Sequence, residues 1–188
     1  MIDRPTPLEI ARSPMGWWAT SEEFYTSGEV LLSTRNSNWT RWNNECVGHK
    51  VSEKDKEIRK LINVATPIVF NFAFSIELLV KAILVKQEPT RWIPDNGSVK
   101  FGHNIFTLIL ENINIELDEN EEKMAQRIGE YVSYGKYPER VKPGDTIEQY
   151  EDLFNYYPYV NWNLTEFYDI ISSLRNKLRD YFLDLVDE

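Results

Sequence analysis

Apolar positions recur at helical spacing along most of the chain, and one run stands apart from the rest. From Leu61 to Leu84 apolar residues occupy nearly every side: Leu61, Ile62, Ala65, Ile68, Val69, Phe72, Phe74, Ile76, Leu78, Leu79, Val80, Ala82, Ile83 and Leu84. The run is too long for an ordinary strand, so its length selects helix. A helix that is apolar on all sides belongs at the centre of a bundle. Ser52, with Asp55 three residues on, supplies a start signal ahead of it. Pro67 predicts a kink or a fresh start, and Glu88-Pro89 an end. A second clear helix follows Asn163, which forms a capping box with Glu166. Its residues Leu164, Phe167, Ile170, Ile171, Leu174, Leu178, Tyr181, Phe182 and Leu185 make one broad stripe, expected to pack against the Leu61–Val85 run.

The remaining segments are shorter. His103–Asn112 reads as an amphipathic helix and Glu119–Val132 as an acidic one, with a Pro/Asn/Gly connection over 89–101. Gly135, Pro138, Pro143 and Gly144 mark Ser133–Asp145 as a loop, and Thr146–Tyr156 as a short helix beyond it. Near the N-terminus, Ser21 followed by Glu22 and Glu23 resembles a helix start. Phe24, Val30 and Leu31 form a short apolar stripe there, and the polar run from Ser33 to Glu45 reads as a turn or loop. No repeat or flexible linker divides the chain. The expectation is an all-α, single-domain helical bundle of about five main helices over residues 1–188. Residues 1–50 form an aromatic-rich extension packed on a bundle core over 52–187.

Composition narrows this picture. The chain has 188 residues, 42% of them hydrophobic, which suffices for one large core. Cys46 is the only cysteine, so no disulfide forms within one chain and a reducing compartment is expected. The N-terminus lacks the basic start and apolar run of a signal peptide. Asn71, Ser75, Glu77 and Lys81 interrupt the apolar run, which argues against a membrane span. A cytoplasmic location is the expectation. The net charge of −9 is uneven: residues 101–188 hold 8 basic against 18 acidic side chains, while residues 1–100 are nearly balanced. Such a field disfavours broad binding of a phosphate backbone, although a local cationic pocket stays compatible with it.

Few residue patterns point to chemistry. Cys46 and His49 lack a second pair to complete a tetrahedral metal site, and the chain has only two His. No Gly-x-Ser-x-Gly elbow, Gly-x-Gly-x-x-Gly turn or Gly-Lys-Ser/Thr loop occurs, so no metal and no cofactor is expected. Glu77 and Lys81, four apart, share one helix face and read as a structural pair at the rim of the core. Gly102-His103-Asn104 stands at a helix start, where an imidazole can bond a free amide. Near the end of the last helix, Arg175 borders the apolar stripe while Lys177 and Arg179 face solvent, as cations complementing the helix dipole. Tyr134, Lys136, Tyr137, Arg140 and Lys142 mix cations with aromatics, which suits either a solvated loop or a clamp on single-stranded nucleic acid.

The run Phe74-Ser75-Ile76-Glu77-Leu78-Leu79-Val80-Lys81-Ala82, followed by Gly102-His103-Asn104 and Tyr137-Pro138, resembles the HEPN domains over roughly residues 55–182. The resemblance implies a bundle of four or five helices that commonly dimerises, often an RNase of toxin–antitoxin or phage-defence systems. It also implies an active Arg-polar pair followed, after four to six positions, by His. Arg175-Asn176 matches the start, but the positions for His hold Asp180, Tyr181 and Phe182. Proton transfer near neutral pH would be lost with that His. The expectation is therefore a HEPN-like protein that is non-catalytic and acts through protein association in a defence or stress module. The alternative is a divergent, metal-independent RNase using Arg175, Asn176 and His103, with Glu77, Lys81, Tyr137 and Arg140 as binding residues and RNA as partner. A homodimer is also expected, from the aromatic cluster Tyr156, Tyr157, Tyr159 and Trp162.

Overall fold

Pro14 opens a helix that the polar residues of its second half do not stop. The computed structural model describes residues 6–45, 53, 58, 65–102, 104–136 and 164–187, and no strand occurs among them. The helices in chain order are α1 (Pro7–Ala11), α2 (Pro14–Glu45), α3 (Ala65–Gln87), α4 (Pro89–Trp92), α5 (Ile105–Asn112), α6 (Glu119–Lys136) and α7 (Leu164–Asp187). The fold is all-α.

Helix α2 corrects the reading of the N-terminal segment. It continues through Ser33–Glu45, where a loop was expected, for 32 residues or about 48 Å. The turn-forming side chains are satisfied inside the helix: Ser37, Asn38 and Thr40 donate to the carbonyls of Ser33, Thr34 and Asn36 at 2.9, 2.7 and 3.2 Å. Packing supplies the rest, with Leu31 and Leu32 against the core and Trp42 against Ile58. Ser21 is no cap; it is buried and donates to the Ser75 carbonyl at 2.8 Å. Val30, expected in the apolar stripe, is 60% exposed.

Helix α3 is the centre of the bundle, as its all-round apolar pattern predicts. Ile68, Phe72, Ile76, Leu79 and Ile83 have no exposed surface. Phe72 is enclosed by Tyr25, Tyr168 and Phe167, with ring centroids at 5.1, 5.5 and 6.2 Å. Gly28 of α2 makes this possible, because a Cβ there would stand 2.9 Å from the Phe72 ring. Pro67 falls in the first turn of α3, where its missing N–H leaves no helical bond unmade. Gln87 ends α3 and Pro89 begins α4. The stretch Pro67–Gln87 is long and apolar enough to cross a membrane by length and composition, but 83% of that window is buried inside the bundle.

Helix α7 lays Phe167, Ile171, Leu174, Leu178 and Phe182 into the same core, against α3. Helix α6 runs to Lys136, past the expected loop start at Ser133. At the N-terminus, Thr6 and Glu9 form a capping box on α1. Arg12 then donates to the Ile93 carbonyl at 2.8 Å and pairs with Asp95 at 2.7 Å, fastening α1 to the connection after α4. The expected caps at Ser52 and Asn163, the Thr146–Tyr156 helix and the Tyr156–Trp162 cluster lie outside the described residues.

Candidate functional site

Helix spacing places Glu22, Tyr25 and Glu29 on one side of α2, and Tyr168, Ser172 and Arg175 on one side of α7. The two helices run in opposite directions, so the two sets meet rung by rung. Arg175 pairs with Glu22 at 2.5 Å. The Tyr25 hydroxyl bonds that of Ser172 at 2.8 Å, and Tyr168 donates to Glu29 at 2.8 Å. The Arg175 guanidinium also lies over the Tyr25 ring, 3.8 Å from its centroid. This is the geometry of a cation–π contact, strengthened by partial removal from water. Arg175 is only 7% exposed. One of its donors, Nε, is buried without a hydrogen-bond partner. Asn176, the next residue, is exposed.

A second polar seam runs along the other flank of α7. Glu121 of α6 is almost wholly buried and accepts from Ser173 at 2.7 Å and from Lys177 at 2.5 Å. Lys177 also donates to the Glu116 carbonyl at 3.0 Å. Lys177 keeps about 40% of its side chain in water, as expected, while its ammonium is tied to α6; Arg179 is exposed as expected. The dipole explanation for these cations fails, since α7 continues to Asp187 and has no basic residue in its last turn. The buried Glu121 was not singled out from the sequence, although a signal existed. Asp118 and Glu121 exchange bonds in capping-box fashion, 2.9 Å from each backbone N–H to the other's carboxylate.

The third cluster surrounds Glu77 and Lys81. Lys81 donates to the Glu77 carboxylate. Glu77 has no exposed surface and Lys81 only 7%, so the pair lies deeper than the rim position expected for it. The Lys81 ammonium faces the rings of Trp17 and Phe101 at 5.7 and 5.6 Å. Phe101 in turn stacks on Trp92 at 5.5 Å. Among the described residues, the partners of this cluster and those of Arg175 do not overlap. His103, Tyr137 and Arg140 lie outside the described residues. Beside His103, Asn104 caps α5 by accepting from the Thr107 N–H at 3.2 Å. Among the described residues no three His, Cys, Asp or Glu side chains gather as metal ligands would.

In the α2–α7 seam Tyr168 holds its proton markedly more tightly than an ordinary tyrosine. The Tyr25 hydroxyl, burial and then the Glu29 carboxylate all raise its pKa above the ordinary tyrosine value of 10.0. The protonated phenol is thus favoured by folding. Its contribution is complete below pH ~10 and is lost as pH rises towards the folded pKa, because the unfolded chain ionises first. Tyr168→Phe is expected to flatten the fall in melting temperature between pH ~10 and ~12, measured by circular dichroism against the wild type. An identical fall in both proteins would contradict the assignment.

No protein-family model, curated protein or solved structure matches this chain.

Proposed function

We propose that this chain is a HEPN-like helical bundle that performs no RNA cleavage and acts through protein association, in a defence or stress module. The observation that carries the reading is the state of Arg175. A nuclease arginine must offer uncompensated N–H groups to a phosphate. Here the guanidinium already pairs with Glu22 at 2.5 Å, Tyr25 covers one face, and the unpartnered Nε is buried out of reach of a ligand in solution.

The positions where the HEPN pattern has His add support. Asp180 is exposed, and its carboxylate would repel phosphate. The Tyr181 hydroxyl accepts from Gln87 at 2.9 Å. Phe182 is fully buried and stacks on Trp18 with centroids 6.2 Å apart. None of these side chains is the imidazole that the pattern uses for proton transfer near neutral pH.

Purified wild type and Arg175→Ala, incubated with structured and single-stranded RNA, metal-free and with Mg²⁺, test the reading. Intact RNA in all four protein–metal combinations is the expected result. Cleavage by the wild type that disappears in Arg175→Ala would overturn it and establish the ribonuclease alternative, with Arg175 and Asn176 at its centre.

A further inference from the structure

Asn96-Gly97, in the connection between α4 and α5, is the one place in the chain where glycine follows asparagine. Asp95, Asn96, Gly97 and Ser98 are all exposed. The backbone nitrogen after an asparagine can close a five-membered ring on the side-chain Cγ. Glycine leaves that approach open, because it has no Cβ beside the attacking nitrogen. Gly97 also has a φ of 72°, and a Cβ placed on it would meet nothing within 4 Å. The attacking nitrogen therefore stands in open, solvated space.

Two contacts favour ring closure here. The Asn96 Oδ1 accepts from the Ser98 N–H at 3.0 Å and from the Ser98 hydroxyl at 2.7 Å. Bonds to a residue two positions on turn the carboxamide forward over the Asn96–Gly97 peptide. They also draw electron density from the side-chain carbonyl, and they stand where negative charge develops when a nucleophile adds to it. One bond opposes: the Gly97 N–H donates to the Pro94 carbonyl at 2.9 Å and must be released first. That turn bond is exposed, so water replaces it at small net cost. A small residue also follows Asn36, but Ser37 lies within α2, where the helix ladder holds the backbone N–H groups.

We propose that Asn96 is a self-modification site, converted with time to aspartate and isoaspartate by its own backbone. The Gly97 nitrogen gives its proton to a solvent base and bonds to the Asn96 Cγ. The bond from Cγ to Nδ2 breaks, ammonia leaves, and a cyclic imide remains. Water then opens the ring. Breaking the nitrogen's bond to Cγ gives aspartate; breaking its bond to the main-chain carbonyl carbon gives isoaspartate, with the chain rerouted through Cβ and Cγ. Either product adds a negative charge next to Asp95, which pairs with Arg12 at 2.7 Å. Isoaspartate also lengthens the chain just beyond the Ile93 carbonyl that Arg12 holds at 2.8 Å. The change is one-way, and it falls on the loop that fastens α1.

The full chain, incubated at mildly alkaline pH and sampled over time, tests this by intact mass and by peptide mapping with electron-transfer fragmentation, which separates aspartate from isoaspartate. The wild type is expected to gain about 1 Da at residue 96, as a mixture of both products, while Asn36 keeps its amide. Gly97→Ala should convert about tenfold more slowly, because its methyl group crowds the adjacent nitrogen. Ser98→Ala should be about threefold slower, for want of the hydroxyl bond to Oδ1. Both positions are exposed and outside the helices, so the variants leave the core alone. A wild type that converts no faster at Asn96 than at Asn36 would overturn the site. Aspartate without isoaspartate, or a Gly97→Ala rate equal to that of the wild type, would overturn the cyclic-imide route. An unchanged rate in Ser98→Ala would overturn the part given to Ser98.

Discussion

Glu77→Leu lowers the stability of the folded chain by about 3–5 kcal/mol, read as a fall in the urea midpoint at constant slope. Glu77 has no exposed surface, and Lys81 is 7% exposed with its ammonium bonded to the Glu77 carboxylate. Replacing the carboxylate by an apolar group of similar size leaves the ammonium in the interior without that counter-charge. The Trp17 and Phe101 ring faces compensate only in part, at 5.7 and 5.6 Å. Water reaches too little of Lys81 to make up the difference. The double variant Glu77→Leu/Lys81→Met removes both charges and is expected within about 1–2 kcal/mol of wild type, because apolar replacement of a whole buried pair is often nearly neutral. A double variant as unstable as the single one would contradict this account of the pair.

Arg175→Ala is expected to cost about 2–3 kcal/mol, for a different balance of reasons. The Glu22 side chain keeps about a third of its surface in water, so its charge can hydrate when the partner is lost. That exposure makes the loss smaller than at Glu77. What remains is the packing of the arginine stem between α2 and α7, and the guanidinium contact at 3.8 Å from the Tyr25 centroid. Arg175→Lys should not restore the wild-type value, since an ammonium cannot stack flat on the ring while reaching Glu22.

The bundle's two principal helices were legible because their patterns need no context. An apolar residue on every side of the Leu61–Leu84 run leaves a central helix as the only comfortable place for it, and the 164–185 stripe has one buried face. The second half of α2 was illegible for a physical reason. Ser, Thr and Asn bond backbone groups equally well in turns and in helices, and only the packing of Leu31, Leu32 and Trp42 selects the helix. The same contrast divides the polar residues. Glu77 and Lys81 are four apart on one helix, so their pairing is written in local spacing. Arg175 with Glu22 and Lys177 with Glu121 join residues 153 and 56 positions apart. Only the antiparallel placement of α2 and α7, and the seat of α6 beside α7, brings them together. Sequence spacing could set Arg175 at the edge of a stripe; it could not name the carboxylate opposite.

The most direct measurement of the central claim, that Arg175 serves the fold and not a reaction, is a double-mutant cycle. Wild type, Glu22→Gln, Arg175→Met and the double variant are unfolded in urea, and the coupling free energy is taken from the four stabilities. The account predicts a favourable coupling of about 1–2 kcal/mol, as for contacting, partly buried charges. A coupling indistinguishable from zero, with Arg175→Met as stable as wild type, would contradict it and leave the arginine available for a reaction.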